Sequence, residues 1–502
     1  MKLRHNLKDS MIQKTVVILG AGNASLFAAH IIKRILPAIT INVVGSKEIG
    51  IVGVGESSTE HIQHVTKSLG ITASEMVKNT GSTFKFGVAV DWHKEPWVHA
   101  LFGNDLAENI HTEGYHPLYQ QFANGDDPIC GIPQNCLEMM VHPEQTPNQF
   151  HFDTHLLNEY LIKEAERKGI RVFDDKITEF NFREDGSLEN VESETRVYAG
   201  DYFVDATGFA RVLSKKVPEF QWVSKQKDMF CDRAFAFLTE HKTDNYSVFT
   251  TAHKMKAGWM WEIPVQHRNG QGYVYSSDFL THEEAVKEVE DKLGHPVEVL
   301  KQFEFEAGHF NKIFHKNMAL IGLASHFFEP LEATSMGVGI QQARILTKVL
   351  SSDCYDDYLL EPLNKEVQKM FNQMFMFLRL HYHNAVPDSP FWEHVSKVKV
   401  PEQVQKLLDI AQHRMLQMED LNCHLDWYIF HELNFNQVLY CIGALSPEIA
   451  KKHQQLGGRY APGRTFNWNL DDDILSEMMK HKDYVDGLVN GTIAINKELN
   501  TQ

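Results

Sequence analysis

A β-branched run that breaks straight into a glycine turn leaves a chain few ways to fold. Thr15-Val16-Val17-Ile18-Leu19 is such a run, apolar along most of its length, and it reads as a strand buried on both faces. Gly20-Ala21-Gly22-Asn23-Ala24-Ser25 follows at once. LFAAHIIKRIL then shows helical periodicity, and Ile39-Thr40-Ile41-Asn42-Val43-Val44 is a second strand. Strand, tight turn, helix and strand make a βαβ unit, and hence a parallel sheet in an α/β fold. Gly20 permits the sharp turn, and Gly22 lets backbone N–H groups approach a pyrophosphate. The helix N-terminus favours the same anion. Gly20, Gly22, Asn23, Ala24 and Ser25 are therefore the expected dinucleotide-binding residues. Ser25 stands where a third glycine is usual. An acid for the ribose is expected after the second strand, but the chain offers Gly45-Ser46-Lys47-Glu48. Glu48, displaced by a longer turn, and Ser46 both stay open.

Further along, three stretches carry chemistry-bearing residues in unusual company. Gly50-Ile51-Val52-Gly53-Val54-Gly55-Glu56-Ser57-Ser58 is glycine-rich and ends in a capping-type sequence before a helix near Glu60 to Leu69. In Ser82 to Asp91, Phe84, Phe86, Val88 and Val90 alternate on one strand face. Lys85, Gly87, Ala89 and Asp91 share the other, and the small residues leave room around the Lys85 amine. In Trp259-Met260-Trp261-Glu262-Ile263-Pro264 the two Trp and Ile263 project from one side of an extended segment. Met260 and Glu262 point the other way, and Pro264, which lacks a ladder donor, suggests a strand edge. Read from spacing alone, the Trp pair is core packing and Lys85 a solvated amine.

The remaining chain sets the frame. Residues 91–150 are irregular and read as a substrate-covering insertion. Asp153 is an N-cap, and Tyr202 to Gly208 is a buried strand ending in a turn at Asp205. Met318 to Ala324 is another apolar strand, followed by a loop through Glu329 and Glu332 and an amphipathic helix from Gly337 to Leu350. Thr334 or Ser335 would cap that helix, whose first N–H groups attract an anion. From about 352 the pattern is mostly helical, including Lys365 to Tyr382, Pro401 to Glu419 and Asp471 to Lys480. His381 and His383 would share one face of a strand or stand far apart on a helix, and the 27 His include no HExxH and no paired Cys/His spacing, so no metal site is expected.

Composition excludes several classes. A net charge of −17 without a long basic run argues against nucleic acid. The N-terminus lacks an apolar signal region, and no run of about 18 apolar residues suggests a membrane span. Six scattered Cys without CxxC suit a reduced, cytoplasmic setting.

Six of these stretches, in order, resemble the motifs of the flavin-dependent halogenases typified by tryptophan halogenase. They are Gly20 to Ser25, Gly53 to Ser58 (like GVGEAT), Thr83 to Gly87 (like TFKLG), Asp205 to Gly208, Trp259 to Pro264 (WxWxIP) and Glu329 to Gly339. The resemblance implies a Rossmann-like FAD-binding domain of the flavin monooxygenase type, with an inserted substrate region and a mostly helical C-terminal domain. Residues 1–13 then form a leader, 14–350 the FAD-binding domain with its insertion at about 91–150, and 351–502 a helical domain completing the substrate site.

It further implies that Gly55, Glu56, Ser57, Asp205 and Gly337 join the cofactor-binding residues. Reduced FAD, oxygen and halide would generate hypohalous acid. Thr334 and Ser335 would bind the halide, and Trp259 and Trp261 would keep the arene from direct hydroxylation. Lys85 would receive the oxidant, and Glu332 would orient it and stabilise or deprotonate the cationic arene. A separate reductase would supply the reduced FAD. The substrate would be an indole, phenol or pyrrole, free or carrier-tethered, and a homo-oligomer stays open. One departure concerns the halide. Ala333-Thr334-Ser335 stands where the family commonly has Ser-Thr-Gly, so chloride, bromide and iodide all remain candidates. The alternative is an FAD-dependent aromatic hydroxylase, but Gly322-Leu323-Ala324-Ser325-His326 lacks the Asp those enzymes carry there.

Overall fold

The computed structural model describes residues 14–53, 56–100, 118–125, 140–141, 149–423, 428–458 and 478–493. Its frame is the parallel sheet that the first βαβ unit begins. Thr15–Leu19 lies at the centre, paired in parallel with Thr40–Gly45 on one side and Tyr202–Asp205 on the other. Arg171–Asp174 extends the sheet beyond Thr40–Gly45, and Met318–Leu320 extends it beyond Tyr202–Asp205. A short antiparallel strand, Phe314–His315, completes six. Val16, Val17 and Ile18 are fully buried, as strands covered on both faces by helices must be.

The second frame is a seven-stranded sheet. It runs Lys301–Glu304, Arg233–Thr239, Arg268–Tyr275, Gly258–Val265, Phe249–Met255, Gly87–Val90 and Trp97–Ala100. The Trp pair therefore sits in the middle of a sheet, not beside its edge. Pro264 is tolerated because pairing with Phe249–Met255 ends at Thr251 opposite Glu262, two residues earlier. Both faces of this sheet are covered. Trp259, Trp261 and Ile263 belong to the main core, while Met260 joins Phe235, Phe237, Tyr273 and Tyr275 under the helix His282–Leu293.

The stretch around Lys85 is not one strand. Thr83–Phe84 pairs with Phe150–Phe152, which also pairs with Glu56–Ser57, in a small three-stranded sheet. Gly87–Val90 belongs to the seven-stranded sheet instead. The chain changes sheets at Lys85 and Phe86, whose amides bond to Gln149 and Val248 carbonyls respectively. The expected irregular insertion from 91 begins with order: Trp97–Ala100 is an edge strand of the large sheet. Helix Leu118–Asn124 is also described, and most of the rest lies outside the described residues.

The C-terminal part is helical as expected, with Asp357–Leu380, Pro390–Lys397, Glu402–Ala411, Glu432–Cys441, Pro447–Leu456 and His481–Asn490. The helix expected over 401–419 stops eight residues early. Of the one expected over 471–480, residues 471–477 lie outside the described residues, and Met479–Lys480 is a strand paired with Met140–Val141. Among the described residues, no helix is long and apolar enough to cross a membrane.

Gly272 pairs with Trp261 in the large sheet. A Cβ there would stand 2.1 Å from the Trp261 ring and 2.4 Å from the Phe235 carbonyl. Gly272→Ala is therefore expected to destabilise the chain by about 2 kcal/mol or more and to shift the Trp261 indole. Urea titration followed by Trp fluorescence reads both. An unchanged midpoint and emission maximum would mean that the indole has slack the packing denies.

Candidate active site

A cavity of about 950 Å³ starts at the turn after the first strand, where Gly20, Ala21, Gly22, Asn23 and Ala24 line it. It passes Ala206, Thr207, Gly208 and Phe209, then Trp259, Trp261 and Ile263, and reaches Glu332, Ala333 and Ser335. The first turn fits a dinucleotide phosphate. Gly20 has φ +96°, and a Cβ there would meet the Ala206 carbonyl at 2.5 Å, whereas the Cβ position of Gly22 faces open space. The helix Asn23–Ile35 has no side-chain cap, so its first amides are left for an anion.

Not every expected cofactor residue reaches this cavity. Glu56 and Ser57 line it, and burial pushes the Glu56 carboxyl up to about 7 against a hydrogen bond from Thr154. Gly55 lies outside the described residues. Ser25 is buried behind the wall and donates to the Gly22 carbonyl at 2.7 Å, so it stiffens the turn. Asp205 is likewise buried and accepts from the Thr207 amide and hydroxyl and from the Leu213 amide. It shapes the turn whose next three residues face the cavity. Gly337 turns away from the cavity, and a Cβ there would meet Thr59 Oγ1 at 2.6 Å. Its missing side chain serves helix packing and gives no room to a cofactor ring.

The Trp pair forms one side of the cavity's inner half, with the rings 6.4 Å apart and edge to face. Trp259 donates Nε1–H to Glu329 Oε2 at 3.2 Å, and Tyr382 donates its hydroxyl to the same oxygen at 2.7 Å. Burial raises the Glu329 carboxyl to about 7. Glu329 thus ties the Trp wall to the end of the helix Asp357–Leu380, a link that nothing in its spacing announced.

Lys85 is 1% exposed and lies just behind the wall. Its Nζ donates to Ser57 Oγ at 3.2 Å and to the Ser58 carbonyl at 2.9 Å. The small sheet that pairs Glu56–Ser57 and Thr83–Phe84 through Phe150–Phe152 creates this contact. Burial lowers the amine to about 8, while the Glu332 carboxylate pulls the other way. The two groups thus sense each other's charge, with no direct ion pair between them among the described residues.

Glu332 is 3% exposed and held from two sides. Its Oε2 faces His99 Nδ1 at 2.8 Å and its Oε1 faces His381 Nε2 at 3.1 Å, both imidazoles being fully buried. Burial alone would raise this carboxyl, but the two imidazoles override it and hold it well below the usual range. Asn434 fixes the His99 tautomer. Its Oδ1 accepts from the His431 amide, so its Nδ2 donates to His99 Nε2, and His99 gives its Nδ1–H to Glu332. His381 faces acceptors at both nitrogens, the Phe377 carbonyl at Nδ1 and Glu332 at Nε2. One proton must therefore be shared between Glu332 Oε1 and His381 Nε2. Nothing in the sequence pointed to His99, and His381 came up only in setting aside a metal site; its place just after the helix Asp357–Leu380 is what aims it at Glu332.

Backbone strain accompanies this clamp. Glu332 and Ala333 have φ +63° and +54°, left-handed values that cost a residue with a Cβ about 1 kcal/mol each. Ala333 occupies the cap position of the helix Thr334–Ser352 and offers no side-chain bond, so neither Thr334 nor Ser335 is the cap. Ser335 lines the cavity and Thr334 is buried at its edge.

A dinucleotide-binding α/β fold built on two large sheets, with a buried, charged end to its cavity, is the class these features define. The sequence model of the tryptophan halogenase family matches residues 15–457, and the chain belongs to that family of flavin-dependent enzymes. Tryptophan 7-halogenase RebH of Lentzea aerocolonigenes is 27% identical over 438 residues, 80% of this chain and 82% of that protein. Tryptophan 6-halogenase ThaL of Streptomyces albogriseolus is 26% identical over 427 residues, 78% and 80% of the two chains. The crystal structure of a tryptophan halogenase from Shewanella frigidimarina superposes with a TM-score of 0.80 at 19% identity, over 95% of this chain and 98% of that one. This chain is accordingly a flavin-dependent halogenase, and the hydroxylase alternative falls away.

Lys85 should weigh on the fold it serves. Folding lowers its pKa from the ordinary 10.5 to about 8. Below pH 8 the folded chain carries a desolvated ammonium at full cost. Between 8 and 10.5 the folded chain has released a proton that the unfolded chain keeps, so the cost fades as pH rises. Lys85→Met is expected to stabilise the chain by about 1–3 kcal/mol at pH 7 and by progressively less above pH 8. Denaturant unfolding at pH 7 and pH 9.5 checks this, and a variant less stable than wild type at pH 7 would refute it.

Proposed function

We propose that the chain halogenates an indole-type arene by electrophilic substitution, with Lys85 carrying or polarising the oxidant and Glu332 answering the charge on the ring. FAD, delivered reduced by a separate reductase, supplies the halogen oxidant together with oxygen and a halide. The observation that carries the reading is the burial of an amine and a carboxylate that sense each other's charge, Glu332 lining the dinucleotide cavity and Lys85 just behind its wall beside Ser57. Both side chains are buried, so each acts more strongly than it would in bulk water on charge that develops in the transition state.

The Lys85 geometry suits either form of the amine. A neutral amine has two N–H bonds and one lone pair. The bonds to Ser57 Oγ and the Ser58 carbonyl use both N–H groups and leave the lone pair to attack halogen. An ammonium would direct its third N–H along the same line and polarise the oxidant. With the amine at about 8, both forms are populated near neutrality.

Glu332 is held too far below the ordinary carboxylate range to be a strong base. Its first contribution is therefore to stabilise the cationic ring, and ring deprotonation then runs downhill into the Glu332–His381 pair. The uncapped amides at Thr334 and Ser335 are the proposed halide donors, in reach of the cavity at Ser335. Trp259 and Trp261 wall the inner half of the cavity and would keep the arene from the flavin. The names of the relatives favour indole over phenol or pyrrole.

The test is a panel of indoles, phenols and pyrroles with FAD, a reductase and each halide in turn, read by mass spectrometry. Halogenated indole is expected, lost on omitting halide. Lys85→Met should keep flavin reoxidation and lose halogenation by about 10³-fold or more, and Glu332→Gln by about 10²-fold. Halide-independent oxygenated product, or halogenation retained in Lys85→Met, would overturn the assignment.

A further inference from the structure

The first strand–turn–helix unit lacks the acid that a dinucleotide-binding fold needs for its ribose. Of the two candidates that the sequence offered to replace it, only Ser46 reaches the cavity. Thr40–Gly45 ends in a glycine, and a Cβ at Gly45 would collide with the Ala21 backbone amide at 2.6 Å, so no acidic side chain fits there. Glu48 is exposed and does not line the cavity. Ser46 lines it but brings no charge.

The neighbouring strand supplies what is missing. Gly45 pairs in register with Asp174, the last residue of Arg171–Asp174. Asp174 therefore stands at the same sheet edge, one strand over, and it lines the same cavity as Gly20 to Ala24. Its Oδ1 accepts from the Lys47 amide at 2.9 Å, which holds the loop after Gly45 against the strand end. Its Oδ2 has only a loose contact, 3.8 Å from the exposed Lys47 ammonium. That oxygen keeps its acceptor capacity.

The other acids nearby are committed or misplaced. Asp175 also lines the cavity, but its Oδ2 already accepts from the hydroxyls of Ser193, Thr195 and Tyr198, and its Oδ1 from the Lys176 amide. Glu159 and Glu166 lie on the helix Thr154–Arg167, away from the strand ends that define a ribose site. Glu56 belongs to the inner part of the cavity beside Thr154 and Ser57.

We propose that Asp174 Oδ2 accepts hydrogen bonds from the adenosine ribose hydroxyls of FAD, so that this chain has moved its ribose-binding acid one strand across the sheet. The same carboxylate ties down the Lys47 loop with its other oxygen. This assignment rests on the proposed use of FAD at this cavity and adds the residue that selects its nucleotide half.

The experiment is a binding cycle, read by quenching of flavin fluorescence and independent of turnover. One ligand is FAD, and the other is an FAD analogue whose adenosine lacks the 2′- and 3′-hydroxyls. Wild type should bind FAD about tenfold more tightly than the analogue, as befits hydrogen bonds to a charged acceptor. In Asp174→Ala that ratio should fall to about one. Asp174→Asn, which can still accept from the Lys47 amide, should show an intermediate ratio. If Asp174→Ala weakens both ligands alike and keeps the tenfold ratio, the carboxylate merely holds the loop and the proposal is wrong. A ratio unchanged in every variant would also overturn it. Wild type that binds neither ligand would sink the halogenase chemistry along with it, an outcome distinct from either of those.

Discussion

A carboxylate sealed from water needs its charge answered from close by. At Glu332 the answer comes from His99 on an edge strand and His381 at the end of a long helix. The two histidines stand 282 residues apart in the chain. The clamp therefore fixes the large sheet, the helical C-terminal part and the strained loop after Leu331 relative to one another. Trp92 reinforces it by donating its indole N–H to the His381 carbonyl at 2.6 Å. The cost of two left-handed residues at Glu332 and Ala333 is met by these bonds, and the strain is local to the site where charge must be aimed.

The same clamp explains why Lys85 is free to lose its proton. A direct ion pair with Glu332 would hold the amine charged. The carboxylate is instead occupied by imidazoles, and the amine by one hydroxyl and one carbonyl. Each charge is satisfied without the other, yet each still feels the other through a dry interior. Two groups so arranged can act on opposite sides of a reacting atom. A salt bridge would spend both on each other.

Much of the frame was legible because its signals are local. The strand, turn and helix over 15–35 sit where periodicity and glycine chemistry put them. The Trp pair does face one way, and Met260 the other. What period-two alternation could not reveal is a strand that changes sheets in its middle, since each half keeps the alternation while belonging to a different partner. Motif position likewise failed to separate residues that touch the cavity from those that hold the residues that do. Ser25, Asp205 and Gly337 all sit inside recognisable motifs, and all act one layer back. His99 and the Gly272 partner of Trp261 depend on register between distant strands, which no local pattern encodes.

The departure at residues 333 to 335 gains a physical meaning from the backbone. A serine at 333 would bring a hydroxyl to the cap position, although its left-handed φ differs from the extended backbone of an ordinary N-cap. Alanine brings none, so the first turn of the helix Thr334–Ser352 depends on backbone and surroundings alone. Unpaired amides at a helix start are costly unless something negative lies near. Here the cavity ends against that turn, at Ala333, Ser335 and Met336. A halide taken up there would satisfy donors that the chain itself leaves open. Donors of that kind would be backbone amides of a strained turn, so size discrimination among halides would come from the walls around them and not from the donors. Ser335, the one polar side chain of the three that reach the cavity, is the wall residue best placed to set it.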